Sequence, residues 1–234
     1  YQIEGHALHS TSSIGIAVFP ADGESVEVLM QNADAAMYHA KSAGRNNVQF
    51  FTASMNEAAS DRRQLEEDLH LALQQKQFVL HYQPQVDAQR RVFAVEALLR
   101  WQHPHHGLVP PARFVPLAED TGLIVPIGQW VLETACAQIK AWSVDARTRK
   151  LQVAVNVSAR QFRQPDFVEL LRQAIDNSGA NPARLKLELT ESLVLDNVAD
   201  TIDKMNAIKL LGVTFSMDDF GTGYSSLSYL TRLP

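Results

Sequence analysis

Phe78-Val79-Leu80-His81-Tyr82-Gln83-Pro84-Gln85-Val86, followed after four residues by Arg91-Val92-Phe93-Ala94-Val95-Glu96-Ala97-Leu98-Leu99, is the stretch on which the fold turns. Both runs are strand-length and rich in aliphatic and aromatic residues. The polar turn between them, Asp87 to Arg90, predicts an antiparallel hairpin. Downstream, Leu151 to Val157, Leu185 to Leu189 and Val213 to Met217 are again apolar and strand-length. Helical patterns fall at Ile127 to Trp142, Phe167 to Asn177 and Val198 to Leu211. Alternating strands and helices predict a parallel sheet with helical crossovers. An open doubly wound sheet and a closed barrel both satisfy that pattern. Against the dinucleotide-binding form of the open sheet, no G-x-G-x-x-G follows any of these strands. For the barrel, polar residues recur at the strand ends: Glu96, Asn156, Glu188 and the pair Asp218-Asp219. Barrel active sites gather side chains from such C-terminal strand ends.

Upstream of the hairpin, Ser13 to Phe19, Val26 to Ala43 and Val48 to Phe51 read as strand, helix and strand, with Gly44 as the helix stop. Three such elements bury little surface and are expected to be marginal by themselves. Thr52 to Gln75 is polar with sparse leucines and reads as a helical connector, its charge run at Asp61 to Asp68 a solvated face.

Composition narrows the chemistry. The 234 residues are 46% hydrophobic and 20% charged, which suits a globular chain with a sizeable core. A formal charge of −5 argues against broad electrostatic binding to DNA or RNA. A phosphodiester substrate would therefore need local neutralisation by bound cations. The single Cys136 lies in an apolar helical pattern, so no disulfide framework exists; the thiol reads as a buried small hydrophobe in a reducing compartment. No apolar run is long enough to span a membrane and no export signal is present, so a cytoplasmic location is expected, with any membrane anchor lying in upstream segments of a parent protein.

Four carboxylates and one carboxamide converging on a pocket would repel unless protonated or bound to metal. Hard oxygen donors without cysteine or ligand-spaced histidine favour Mg2+ or Mn2+. Two such ions can activate water and clamp a phosphodiester. His103, His105 and His106 are close in sequence, but their proline- and glycine-rich surroundings favour a solvated loop over a metal site.

Glu96-Ala97-Leu98 with Leu99-Arg100-Trp101 resembles the signature of EAL-type cyclic di-GMP phosphodiesterases. Tyr82-Gln83-Pro84, His103-Pro104, the Pro110 to Glu119 segment, Val155-Asn156-Val157-Ser158, Glu188-Leu189-Thr190-Glu191-Ser192 and Asp218-Asp219-Phe220-Gly221-Thr222-Gly223 match it in order and spacing, from about Gln64 to Pro234. The resemblance implies that Glu96, Asn156, Glu188, Asp218 and Asp219 are metal ligands, with Glu96, Asp218 and Asp219 at the centre of catalysis. It implies further that Arg100 and Gln83 contact substrate. Glu191 and the loop containing Gly221 and Gly223 would couple metal, substrate and dimerisation. The implied activity is two-metal hydrolysis of cyclic di-GMP to linear pGpG by a homodimer holding two Mg2+ or Mn2+ ions per site. A catalytically silent cyclic di-GMP receptor is the alternative, and a ligand-free interaction module a third.

The N-terminal piece resembles the C-terminal part of a GGDEF-type diguanylate cyclase domain through Ser13 to Ala17, Ala33-Asp34-Ala35-Ala36-Met37-Tyr38, and Lys41 with Gly44-Arg45-Asn46. The cyclase signature loop and catalytic acids are not among the 234 residues, so cyclase activity is not expected. About 170 residues from Gln64 onward fall short of the roughly 250 of a full barrel. The resemblance implies, beyond Pro234, a lysine that positions the attacking water, a glutamate that completes the metal site and the closing strands, so the activity is expected of a parent protein and is left undecided for these 234 residues. The expected fold class is α/β, an incomplete TIM-like (β/α) barrel with an initial antiparallel hairpin, preceded by a small β-α-β cyclase-like fragment. The expected division is 1–52 for that fragment, 53–75 for the connector and 76–234 for the phosphodiesterase-like domain.

Overall fold

In the computed structural model, residues 2–3, 6–7, 11–190, 193, 198–218 and 233 are described. They fall into two compact units, Tyr1–Asp68 and Leu69–Pro234. No helix among the described residues is long and apolar enough to cross a membrane.

In the first unit, β1 (Gln2–Ile3) and β2 (His6–Ala7) form a small antiparallel pair. Strands β3 (Ile14–Ile16) and β4 (Val48–Phe50) pair in parallel across helix α1 (Val26–Ser42), which is the expected strand-helix-strand unit. Ser25 caps α1 by accepting a hydrogen bond from the Val28 N–H, and Gly44, at φ +101°, follows its end. Gly15 lies so close to α1 that any Cβ would collide with the Ala33 carbonyl and the Met37 backbone, which is why this strand position is glycine. Helix α2 (Ala53–Ala72) occupies the connector region, and its Met55 packs on Ala35 and Ala36.

The second unit opens with the predicted hairpin, β5 (Phe78–Val86) and β6 (Val92–His103), in antiparallel register with Gln83 opposite Glu96. Its turn is held by Asp87, whose Oδ1 accepts from the Gln89 and Arg91 N–H groups at 2.9 Å each. Then follow β7 (Gly107–Val109), α3 (Pro111–Thr121), α4 (Ile124–Trp142), β8 (Gln152–Val157), α5 (Ala159–Phe162), α6 (Phe167–Ser178), β9 (Leu185–Thr190), α7 (Val198–Leu210) and β10 (Thr214–Asp218). The sheet order is β5-β6-β8-β9-β10, with β7 added to the far end of β6. After the antiparallel hairpin, every pairing in that order is parallel. This is a run of a (β/α) barrel wall begun by one antiparallel strand, as the hairpin and the strand-helix alternation predict.

Strand alternation decides what each face does. Val95, Ala97, Val153, Val155, Val157, Leu185, Leu187 and Leu189 turn toward the helices and share one core with Val131, Leu132, Ala135, Cys136 and Ile139 of α4 and with Phe167, Leu171, Ala174 and Ile175 of α6. Each fully buried aliphatic side chain of this set contributes about 1.5–3 kcal/mol. Burial pushes the Cys136 thiol up to about 12, so it is the inert core residue the sequence indicates.

Two expectations need amendment. Helix α3 was not anticipated. And the solvated-loop reading holds for the exposed His105 and His106 but not for His103, which ends β6, is 4% exposed, and accepts from the His105 and His106 N–H groups through Nδ1 at 3.1 Å each. A strand end packed edge-on against Trp101 buries this imidazole, and its ring nitrogen closes the turn.

Candidate active site

The positions between the core residues face away from the helices. On β9 the alternation is strict: Leu185, Leu187 and Leu189 are buried against the helices, while Lys186, Glu188 and Thr190 take the other face. Register carries that face across the sheet. Glu96 is level with Ala154, Ala154 with Lys186, and Lys186 with Thr214. One step nearer the strand ends, Asn156 is level with Glu188, and Glu188 with Ser216; Asp218 lies one step further, opposite Thr190. Gln83 joins the face from β5, directly across from Glu96, and Arg100 lies four residues beyond Glu96 on the same side of β6.

Side-chain contacts knit this face together. The Asn156 amide Nδ2 donates to Glu96 Oε1 at 2.7 Å, joining residues 60 apart in sequence. The Ser216 hydroxyl donates to Glu188 Oε1 at 3.1 Å. Burial holds the Glu188 carboxyl above the usual carboxylate range. The negative charges of Glu96 and Asp218 act in the same direction, while the Ser216 hydrogen bond and the Lys186 charge oppose it. Three acids from β6, β9 and β10 therefore share one field. Arg100 donates from Nη1 to the Leu99 carbonyl at 2.9 Å, and Gln83 is exposed, accessible to a ligand at the sheet face.

The donor set is carboxylate and carboxamide oxygen, and its charges crowd rather than cancel. That is the chemistry a hard divalent cation fits. Neighbouring strands are separated by about 4.8 Å, so acids drawn from strands two and three places apart approach only through their side chains. Among the described residues no three His, Cys, Asp or Glu side chains close on a common point. What the fold assembles is a Glu96–Asn156 pair beside a Glu188 carboxyl that feels both Glu96 and Asp218. Asp219, Glu191, Gly221 and Gly223 lie outside the described residues. Ser216 and Lys186 were not singled out from sequence. Each stands two residues before an acid on the same strand, and the period of two would have placed both on the acids' face.

The comparisons with known proteins agree with this layout. A family model described as EAL domain matches residues 66–234, and one described as diguanylate cyclase, GGDEF domain matches residues 1–47. The bifunctional diguanylate cyclase/cyclic di-GMP phosphodiesterase MucR of Pseudomonas aeruginosa is 49% identical over 235 residues, covering 100% of this chain and 34% of that protein. The cyclic di-GMP phosphodiesterase PdeR of Escherichia coli K12 is 38% identical over 227 residues, covering 97% of this chain and 34% of that protein. The chain thus spans about a third of the length of these curated relatives. Among solved structures, the PaMucR phosphodiesterase in complex with c-di-GMP superposes with a TM-score of 0.70 at 48% identity, over 73% of this chain and 69% of that one. The EAL enzyme Bd1971 in its cAMP- and cyclic-di-GMP-bound form gives 0.70 at 32% identity, over 92% of this chain and 56% of that one.

Proposed function

Because the chain belongs to the EAL domain family, with residues 1–47 matching the GGDEF domain, we propose that it carries the substrate- and cation-binding wall of a cyclic di-GMP phosphodiesterase. The reaction is hydrolysis: water attacks one of the two phosphodiester phosphorus atoms, one P–O ester bond breaks, and the product is the linear dinucleotide pGpG. The observation that carries this reading is the 2.7 Å Asn156–Glu96 hydrogen bond on the face that also bears Glu188 and Asp218. Relatives named as phosphodiesterases of this substrate support it.

Glu96, Asn156, Glu188, Asp218 and Asp219 would hold two Mg2+ or Mn2+ ions. Bound there, the cations supply an activated water and offset the charge that develops on the phosphoryl oxygens. The protein's own part is placement. Asn156 spends an amide proton on Glu96 and so fixes that carboxylate's orientation. Ser216 does the same for Glu188. Arg100, a planar multi-donor cation near the rim, orients a substrate phosphate, and Gln83 contacts the nucleotide from β5. Glu191 and the glycine-containing segment from Asp219 onward are proposed to couple substrate binding to a homodimer, on their match to the family pattern alone. The division into 1–52, 53–75 and 76–234 rests on the strand-helix-strand unit, the helical α2 and the hairpin that follows it. A bacterial cytoplasmic location accords with the lone buried thiol.

The test is incubation of a longer protein containing these 234 residues with cyclic di-GMP and MgCl2 or MnCl2, followed by chromatography. Metal-dependent appearance of the linear dinucleotide, lost in Glu96→Gln, is expected. Calorimetric binding without turnover and without metal dependence would instead establish the silent-receptor reading.

A further inference from the structure

Directly after Asn156 the chain leaves the sheet, and what fixes that exit also fixes the Asn156 amide. Ser158 caps α5 by accepting from the Gln161 N–H at 3.1 Å. The Gln161 side chain is 4% exposed and lies against Gly128 of α4. Arg160 donates to the Glu119 and Asp120 carbonyls at the end of α3. The far end of α5 is a helix C-terminus, whose last carbonyls lack partners within the helix. The Gln164 side chain and backbone N–H take the Arg160 and Gln161 carbonyls, and the Phe162 carbonyl with the next two in the turn is reached by Lys204 of α7, whose Nζ donates to Phe162 at 3.2 Å, Arg163 at 3.2 Å and Gln164 at 3.3 Å. The Lys204 side chain is 14% exposed and has the Asp200 carboxylate 3.4 Å away on its own helix. An ammonium has three protons to donate, and three backbone carbonyls of another element are within reach of them. A lysine serving only as a solvated helix residue would extend into water.

Lys204 thereby spans two parts of the rim. On one side it holds α5, four residues of helix that begin three positions after Asn156. On the other it belongs to α7, which runs through Leu211 and Gly212 into β10 and Asp218. We propose that Lys204 is a positioning residue for cation binding, holding the β8 exit so that the Asn156 amide stays on Glu96 and the β8 and β10 ligands keep a common frame. This rests on the proposed function, since it assumes that Asn156 and Asp218 take part in holding the cations.

The experiment is Mn2+ calorimetry on the 234-residue chain for wild type, Lys204→Met, Lys204→Arg and Asp200→Asn, at a temperature well below the melting point of each. Lys204→Met keeps the aliphatic stem and removes the donors; it is expected to weaken Mn2+ binding by about tenfold, the scale on which outer-sphere supports act on metal sites. Lys204→Arg, which can still donate to grouped carbonyls, should recover most of that loss, and Asp200→Asn should bind as wild type. Should Lys204→Met not fold, Lys204→Gln, which keeps an amide donor, carries the comparison and is expected to bind more weakly than wild type. A Lys204→Met protein that melts lower yet binds Mn2+ with wild-type affinity overturns the proposal and leaves the proposed function standing. A wild-type chain that binds no Mn2+ overturns the proposal, while the proposed function is judged separately by turnover in the longer protein.

Discussion

At Asn156, the neutral amide is the choice that keeps the site's acids tolerable. It is level with Glu188, and its Nδ2 lies 2.7 Å from Glu96 Oε1. Asn156→Asp would exchange that donor for another negative charge in a field where Glu188 is already disfavoured as a carboxylate. In EDTA this variant is expected to lose about 1 kcal/mol of stability, the modest size reflecting solvent screening at an open face. Added Mn2+ should raise its melting temperature more than it raises that of wild type. Thermal melts with and without the cation measure the difference; equal metal responses would mean that Asn156 does not border the cation site. The residue types of this constellation were legible in the sequence because acids and a carboxamide stand at successive strand ends. Their mutual geometry was not, since which amide hydrogen meets which carboxylate depends on register between strands 60 residues apart. His103 shows the same limit: its place in a histidine-rich run gave no sign that a buried Nδ1 would close a turn.

Among the elements, the hairpin and the alternating units were readable because strands of period two and helices of period 3.6 repeat in order. Helix α3 escaped because it contains three prolines' worth of contrary signals: Pro110 just before it, Pro111 at its start and Pro116 inside it. Proline at the first helical position is in fact favourable, and the buried Phe114, Leu117 and Ala118 have helical spacing. Gly122, at φ +85°, ends the helix. The contact between α4 and α5 was equally hidden. Gly128 looks like an ordinary weak spot in a helix, but a Cβ there would drive into the buried Gln161 side chain. Gly128→Ala is therefore expected to destabilise by about 1–3 kcal/mol despite alanine's better helix propensity. Pairing it with Gln161→Ala should recover part of that cost, and urea unfolding of the four proteins measures the coupling. Additive losses would show that the two side chains do not compete for the same space.

For the whole molecule, the sheet and its helical layer should unfold together, and alkaline titration gives a way to see it. Tyr82 packs edge-on against Trp142 of α4, ring centroids 5.0 Å apart, and burial pushes its phenol up from 10.0 to about 12. Because the folded value is raised, folding favours the neutral phenol. The associated stability is fully present below pH 10 and is lost as pH rises through about 12. Tyr82→Phe should make the fall in melting temperature between those pH values shallower, and an unchanged slope would refute the buried phenol. The same two-faced sheet that sets Tyr82 on the helix side and Gln83 on the other has a bearing on how such chains can change length. Deleting one residue from β8 would swing Asn156 in among the leucines and turn a valine onto the acid-bearing face, whereas deleting two would merely lower the amide by one layer. Strands of this wall should therefore tolerate insertions and deletions in pairs and reject single ones, while the connecting turns on the opposite side of each helix remain open to changes of any length.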